Sequence, residues 1–148
     1  MRIYVDTCVW HRPFDGRGDE RVSLEADAMI QLMESVERQE SCLISSEVLE
    51  FEVFRGSWSD ERAIIVEGLA LAGMVVVLDD SIRARAIEFE SLGIAAMDSL
   101  HLASAESGRA DLFVTCDHRL LRRAARCNDL TVQVVDPLTA LKRTIHES

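Results

Sequence analysis

The sequence has little of several things. Of its 148 residues only 2 are proline and 7 are glycine, which excludes collagen-like and low-complexity chains. Of the 16 cationic residues one is lysine, Lys142, and the rest are arginine. Cysteine occurs at positions 8, 42, 116 and 127, with no C-x-x-C pair and no histidine at zinc-finger spacing. Three of these thiols lie in or beside apolar runs, so reduced, buried cysteines of a cytoplasmic protein are expected. No apolar run is long enough to cross a bilayer. The opening residues do not read as a signal peptide, because Asp6 interrupts their short apolar stretch. Positive charge is in deficit: 16 basic residues face 26 acidic ones, for a formal charge of −10 and a pI near 4.8. Phosphate polymers are repelled on average by such a chain. Divalent cations or a basic protein partner suit it better.

Apolar residues make up 48% and charged residues 28% of the chain. That balance excludes disorder and suits one domain over residues 1–148 with a sizeable core. Residues 3–5 predict a short strand that ends at Asp6, and residues 7–20, with Pro13, Gly16 and Gly18, read as a loop. Leu24, Ala28, Leu32 and Val36 recur every four residues and predict an amphipathic helix over 23–39. A strand at 42–44 follows, then a helix over 47–55 capped by Ser46. Asp60 is placed to cap a further helix that Gly73 ends in the left-handed conformation. Residues 74–78 are five apolar residues in a row and predict a strand buried on both faces. Helices are expected after Asp79-Asp80 up to Gly93, over 97–107, and over 117–126. Strands are expected at 112–114 and 131–135, and Asp136-Pro137 opens a last helix. Strands alternating with helices predict a three-layer α/β/α sandwich around a parallel sheet of about five strands.

In open parallel sheets ligands bind outside the carboxyl ends of the strands. Asp6 stands at one such end, Asp79-Asp80 at another and Asp117 just beyond a third, while Asp98 opens the helix before the fourth strand. Glu47, Glu50 and Glu52 follow the second strand. Carboxylates gathered there repel one another and raise each other's pKa, and a shared hard cation, Mg²⁺ or Mn²⁺, relieves the repulsion. Asp98 and Asp117 also suit helix N-caps, as does one of the Asp79-Asp80 pair. His101 lies three residues after Asp98 and can share its helix face, either as a satisfied core histidine or in a catalytic role. Thr115, and less strongly Ser99, could orient a carboxylate. A receiver-domain reading fails for want of an acidic pair after the first strand, and a haloacid-dehalogenase reading fails because Asp6-Thr7-Cys8 lacks the second aspartate.

The stretches Ile3-Tyr4-Val5-Asp6-Thr7, Ile44-Ser45-Ser46-Glu47-Val48-Leu49-Glu50-Phe51-Glu52, Met97-Asp98-Ser99-Leu100-His101-Leu102-Ala103 and Phe113-Val114-Thr115-Cys116-Asp117 occur in this order along nearly the whole chain. In that order and spacing they resemble a PIN domain, the nuclease fold of VapC toxins. The resemblance implies a metal-dependent endoribonuclease with catalytic residues Asp6, Glu52, Asp98 and Asp117. Of these, Asp6, Asp98 and Asp117 would be ligands to Mg²⁺ or Mn²⁺. Glu50 and Glu52 lie about 200° apart on a helix, so only one of them can face the site, and the resemblance implies that it is Glu52. The resemblance further implies an RNA substrate, an antitoxin partner and a homodimer, with no membrane association. Arg119, Arg122, Arg123 and Arg126 recur at helical spacing and are the candidate RNA-binding surface, or a seat for an acidic antitoxin segment. A PIN-like binding module without turnover is the alternative.

Overall fold

The computed structural model describes residues 1–147. Its strands are β1 (Arg2–Val5), β2 (Cys42–Ser46), β3 (Met74–Val76), β4 (Leu112–Val114) and β5 (Gln133–Val135). They form one sheet in the order β3-β2-β1-β4-β5, and every neighbouring pair is parallel. The helices are α1 (Thr7–His11), α2 (Glu20–Glu37), α3 (Glu47–Phe54), α4 (Asp60–Leu69), α5 (Asp80–Ser91), α6 (Ala96–Ser107), α7 (His118–Ala124) and α8 (Pro137–Glu147). α2 packs on α8 and α8 on β4, while α5 packs on α6 and α6 on β2 and β3. These pairs are the outer layers of the sandwich. Among the described residues no helix is long and apolar enough to cross a membrane.

β1 is the middle strand, and its Ile3, Tyr4 and Val5 have no exposure. Register sets who meets whom. Tyr4 lies between Ile44 of β2 and Phe113 of β4, and its ring stacks on Phe113 with centroids 5.3 Å apart. Side chains along a strand alternate between faces. Tyr4 and Asp6 therefore share a side of the sheet, as do Ile44 with Ser46 and Phe113 with Thr115. His101 of α6 meets Tyr4 edge-on at 5.9 Å, so this shared side is the one that α6 covers.

Several expectations need correction. Residues 7–20 are not a plain loop. The Asp6 side chain accepts a hydrogen bond from the Thr7 amide and starts α1, and a 3-10 turn over Arg12–Phe14, with Pro13 in it, follows. The short helix is held from below, since Trp10 is buried and its indole N–H donates to the Val5 carbonyl at 3.1 Å. β3 is shorter than residues 74–78 and is an edge strand. Val76 is buried, but Met74, Val75 and Val77 are exposed, because a strand with one neighbour and a single covering layer cannot hide both faces. α4 is capped by Ser59, with Asp60 inside its first turn. It ends at Ala70 rather than at Gly73, and Gly73 is not among the residues with positive φ, whereas Gly93 after α5 is, at 91°. α2 begins at Glu20 behind an Asp19 cap, and β5 covers Gln133–Val135 only.

Candidate metal centre and active site

The chain winds from β1 outward to β2 and β3, then returns to the other side of β1 for β4 and β5. The switch point therefore lies between β1 and β4, where a crevice opens at the carboxyl ends of the two strands. Their ends are tied directly, the Asp6 amide donating to the Val114 carbonyl at 2.9 Å. Asp6 follows β1, and Thr115, Cys116 and Asp117 follow β4. α3, after β2, brings Glu52, and α6 brings Asp98 and His101.

Asp6 is buried with every one of its neighbours specified. Its Oδ1 accepts from the Thr7 amide at 2.9 Å, and its Oδ2 accepts from Thr115 Oγ1 at 2.8 Å and from the Cys8 thiol at 3.5 Å. Thr115 Oγ1 in turn accepts from the Asp117 amide at 3.1 Å, so one hydroxyl spaces two of the aspartates, the orienting role foreseen for it. Glu52 Oε1 accepts from the Thr7 hydroxyl and lies 2.9 Å from His101 Nε2. The His101 bond, with help from Thr7, holds the Glu52 carboxyl below its ordinary range despite partial burial. Among the described residues, Asp6, Glu52 and His101 have ligand atoms that all lie within 4.8 Å of one another. Both His101 nitrogens are already engaged in hydrogen bonds, which leaves the carboxylate oxygens, with their second lone pairs, as the donors to a cation.

Asp98 is the electrostatically stressed member. Burial, then the charges of Asp6 and Asp117, push its carboxyl up to about 6 from an ordinary 3.8, with Glu52 adding to the effect and His101 opposing it. The charge coupling ties Asp98 to the other three acids. It does not cap its helix, because the N-cap position of α6 is Ala95. Asp117 does cap α7, its Oδ1 accepting from the amides of Arg119 and Leu120 at 2.9 and 3.3 Å, which leaves Oδ2 outside the cap. Asp98 and Asp117 share a small cavity with Ile94, Ala95, Arg119 and Arg123. Arg122 and Arg126 do not line it.

The remaining candidates fall elsewhere. Glu47 accepts from the Leu78 amide at 2.7 Å and closes the end of β3. Asp79 caps α5 through the Ile82 amide. Ser99 donates to the Ile94 carbonyl and not to a carboxylate. His101 is fully buried and both its ring nitrogens are bonded, Nδ1 to the Tyr4 hydroxyl at 2.7 Å, as a satisfied core histidine would be. Tyr4, Ser46 and Thr7 were not singled out as site residues from sequence. The alternation of β1 and β2 was the available signal, since Tyr4 stands two residues before Asp6, and Ser46 two after Ile44.

The comparisons with known proteins agree with this fold. The chain is similar in fold to VapBC2 from Rickettsia felis bound to a DNA fragment from its promoter, with 12% identity, a TM-score of 0.58, and coverage of 92% of this chain and 98% of the other. It is similar to VapBC-1 from nontypeable Haemophilus influenzae at 16% identity and a TM-score of 0.60, covering 93% and 99% of the two chains. It is also similar to PAE2754 from Pyrobaculum aerophilum at 17% identity and a TM-score of 0.54, covering 99% and 90%. No curated protein sequence matches it. The family model for the PIN domain matches residues 3–126, a span from the first residue after Arg2 of β1 to the end of the α7 region that takes in Asp6, Glu52, Asp98 and Asp117. With β1 from Ile3 onward, β2, β3 and β4, the switch point and these acids inside the matched span, the chain belongs to the PIN domain family.

Proposed function

We propose that this chain is a metal-dependent endoribonuclease and the toxin of a type II toxin–antitoxin pair. What supports the reading is that Asp6 and Glu52 are drawn together with His101 at the switch point, and that burial and the charges of Asp6, Asp117 and Glu52 push the Asp98 carboxyl up to about 6. Carboxylates that repel one another in this way are relieved by sharing a cation. An all-oxygen donor set fits Mg²⁺ or Mn²⁺ better than Zn²⁺. Asp6, Asp98 and Asp117 are the residues that would hold it. When bound, such an ion supplies positive charge that polarises a phosphodiester oxygen and acidifies water.

The chain's own groups do the rest. Glu52 is an ionised carboxylate at neutral pH, and both of its hydrogen bonds fall on Oε1. Its Oε2 is thus the atom that takes a proton from the attacking water. Thr115 keeps Asp6 and Asp117 at a fixed separation. Arg119 and Arg123, beside Asp98 and Asp117 in the shared cavity, bind RNA phosphates, and Arg122 and Arg126 extend the basic face along α7. A groove lined by Trp10, Phe14, Met29, Met33, Ile64 and Leu71, with Glu34, Glu37 and Glu67 also in its wall, has none of the four candidate acids there. Its apolar lining suits a helix of an antitoxin rather than RNA, and an antitoxin partner is supported by the VapBC assemblies among the similar structures.

The test is cleavage of single-stranded or looped RNA with Mg²⁺ or Mn²⁺, with and without EDTA, for the wild type and Asp6→Asn. Cleavage that EDTA stops and that Asp6→Asn lacks while still folded supports the reading. A wild type indifferent to EDTA, or an Asp6→Asn protein that cuts at the wild-type rate, removes it. Antitoxin binding without any cleavage would favour the binding-module reading instead.

A further inference from the structure

Behind Glu52 runs a chain of hydrogen bonds through the dry interior. The Leu49 amide donates to Ser46 Oγ at 2.9 Å, Ser46 Oγ lies 2.6 Å from the Tyr4 hydroxyl, that hydroxyl 2.7 Å from His101 Nδ1, and His101 Nε2 2.9 Å from Glu52 Oε1. Tyr4, Ser46 and His101 have no exposure at all. Each hydroxyl has one proton to give. Ser46 Oγ already accepts from Leu49, and among the described residues the Tyr4 oxygen is the only acceptor its proton can reach. The Ser46 proton therefore goes to Tyr4, and the Tyr4 proton goes to Nδ1 of His101. Nδ1 is then an acceptor, so the ring carries its proton on Nε2 and donates it to Glu52. The opposite order would leave the Ser46 proton without an acceptor in a site that water does not reach, which is the costly arrangement.

We propose that Tyr4 and Ser46 are positioning residues of the nuclease site: they fix His101 as the Nε2–H tautomer, and His101 with Thr7 then holds Glu52 by Oε1 so that Oε2 faces the ligand side. His101 is in this assignment a donor to a carboxylate, neither a metal ligand nor a proton-transfer group. The tautomer stands on the hydrogen-bond order alone, whereas its importance for the metal rests on the proposed nuclease reading.

The test uses the full chain, labelled with ¹⁵N and stripped of metal. Long-range proton–nitrogen correlation at neutral pH reads the His101 tautomer, assigned by its loss in His101→Gln. Binding of Mn²⁺ is then followed by electron paramagnetic resonance, with thermal melts on every variant. The wild type is expected to show Nε2–H, and to keep it when Mn²⁺ is added. Tyr4→Phe should bind Mn²⁺ about tenfold more weakly, because Glu52, although not one of the three ligands, is a fourth carboxylate charge beside the ion's site and is no longer held there. His101→Gln keeps one acceptor and one donor in the same order and should stay within about threefold of wild type, while His101→Leu should fall by about 10–100-fold. An Nδ1–H tautomer in the wild type, or loss of the Nε2 proton on Mn²⁺ addition, overturns the proposal and leaves the nuclease reading standing. So does a folded Tyr4→Phe protein with wild-type Mn²⁺ affinity. A wild type that binds no Mn²⁺ overturns the nuclease reading and the positioning role together, even where the tautomer is as assigned.

Discussion

Replacing Asp98 by asparagine should stabilise the metal-free protein while destroying its metal site. The carboxyl is pushed up to about 6 from 3.8 by burial and by the charges of Asp6 and Asp117. At about 1.4 kcal/mol per tenfold change in proton affinity, the ionised side chain costs the native state up to about 3 kcal/mol. Water still reaches part of the group, so the realised cost is about 1–3 kcal/mol. Among the described residues the Asp98 carboxylate accepts no side-chain hydrogen bond that asparagine would forfeit.

The pH dependence fixes the sign. Between about 4 and 6 the native state holds a proton on Asp98 that the unfolded state has lost, so this group's contribution to stability falls as pH rises through that window and the full penalty is present above 6. Asp98→Asn should therefore gain about 1–3 kcal/mol at pH 7.5, and the gain should shrink to nothing near pH 4. In a chain of this size that is a rise in Tm of roughly 3–10 °C, read by calorimetry in EDTA. With Mn²⁺ at a hundred times the dissociation constant the wild type gains about 2.7 kcal/mol and the variant much less, so the order of the two melts reverses. A variant less stable than wild type at pH 7.5 without metal, or a gain that does not change with pH, refutes the account of a carboxylate held against its neighbours.

Three further outcomes are expected. Asp6→Asn keeps only one of the two oxygens that accept from Thr7, Thr115 and Cys8; the lost bond and the relieved repulsion are each about 1 kcal/mol, so the melt should move little while RNA cleavage disappears. Arg119→Gln and Arg123→Gln should each weaken RNA binding and lower the slope of log affinity against log salt by about 0.7, leaving Mn²⁺ affinity unchanged; a slope that stays put would move the RNA to another face. Gly68→Ala should cost about 1–3 kcal/mol by urea unfolding, because its Cβ would stand 2.6 Å from the Trp10 ring, and an unchanged midpoint would mean that α4 is free to shift.

The candidate site was legible where local rules decide it. A carboxylate directly after a buried strand, as at Asp6, belongs to the mouth of a parallel sheet whatever the strand order. Helical angle alone showed that Glu50 and Glu52 cannot both face the site, while the choice of Glu52 came from the family resemblance; the caps at Ser46, Asp79 and Asp117 follow from residue type and position. What stayed hidden depended on neighbours distant in sequence. The apolar stretch from Met74 looks like an interior strand, but burial of a strand depends on its rank in the sheet, and β3 is at the edge. α1 exists because the Asp6 carboxylate caps it and because Trp10 finds a carbonyl on β1 and a glycine on α4. None of these partners is local to the segment. His101 meets the core reading, and in the proposed positioning role it meets the functional one as well. Its burial and its two bonds satisfy the core reading, and the second of those bonds is what sets Glu52. Periodicity could place Tyr4 beside Asp6 and Ser46 beside Ile44 on one side of the sheet, yet only the register that puts β1 next to β2, with α6 laid over both, converts those separate alternations into a single chain ending at a carboxylate.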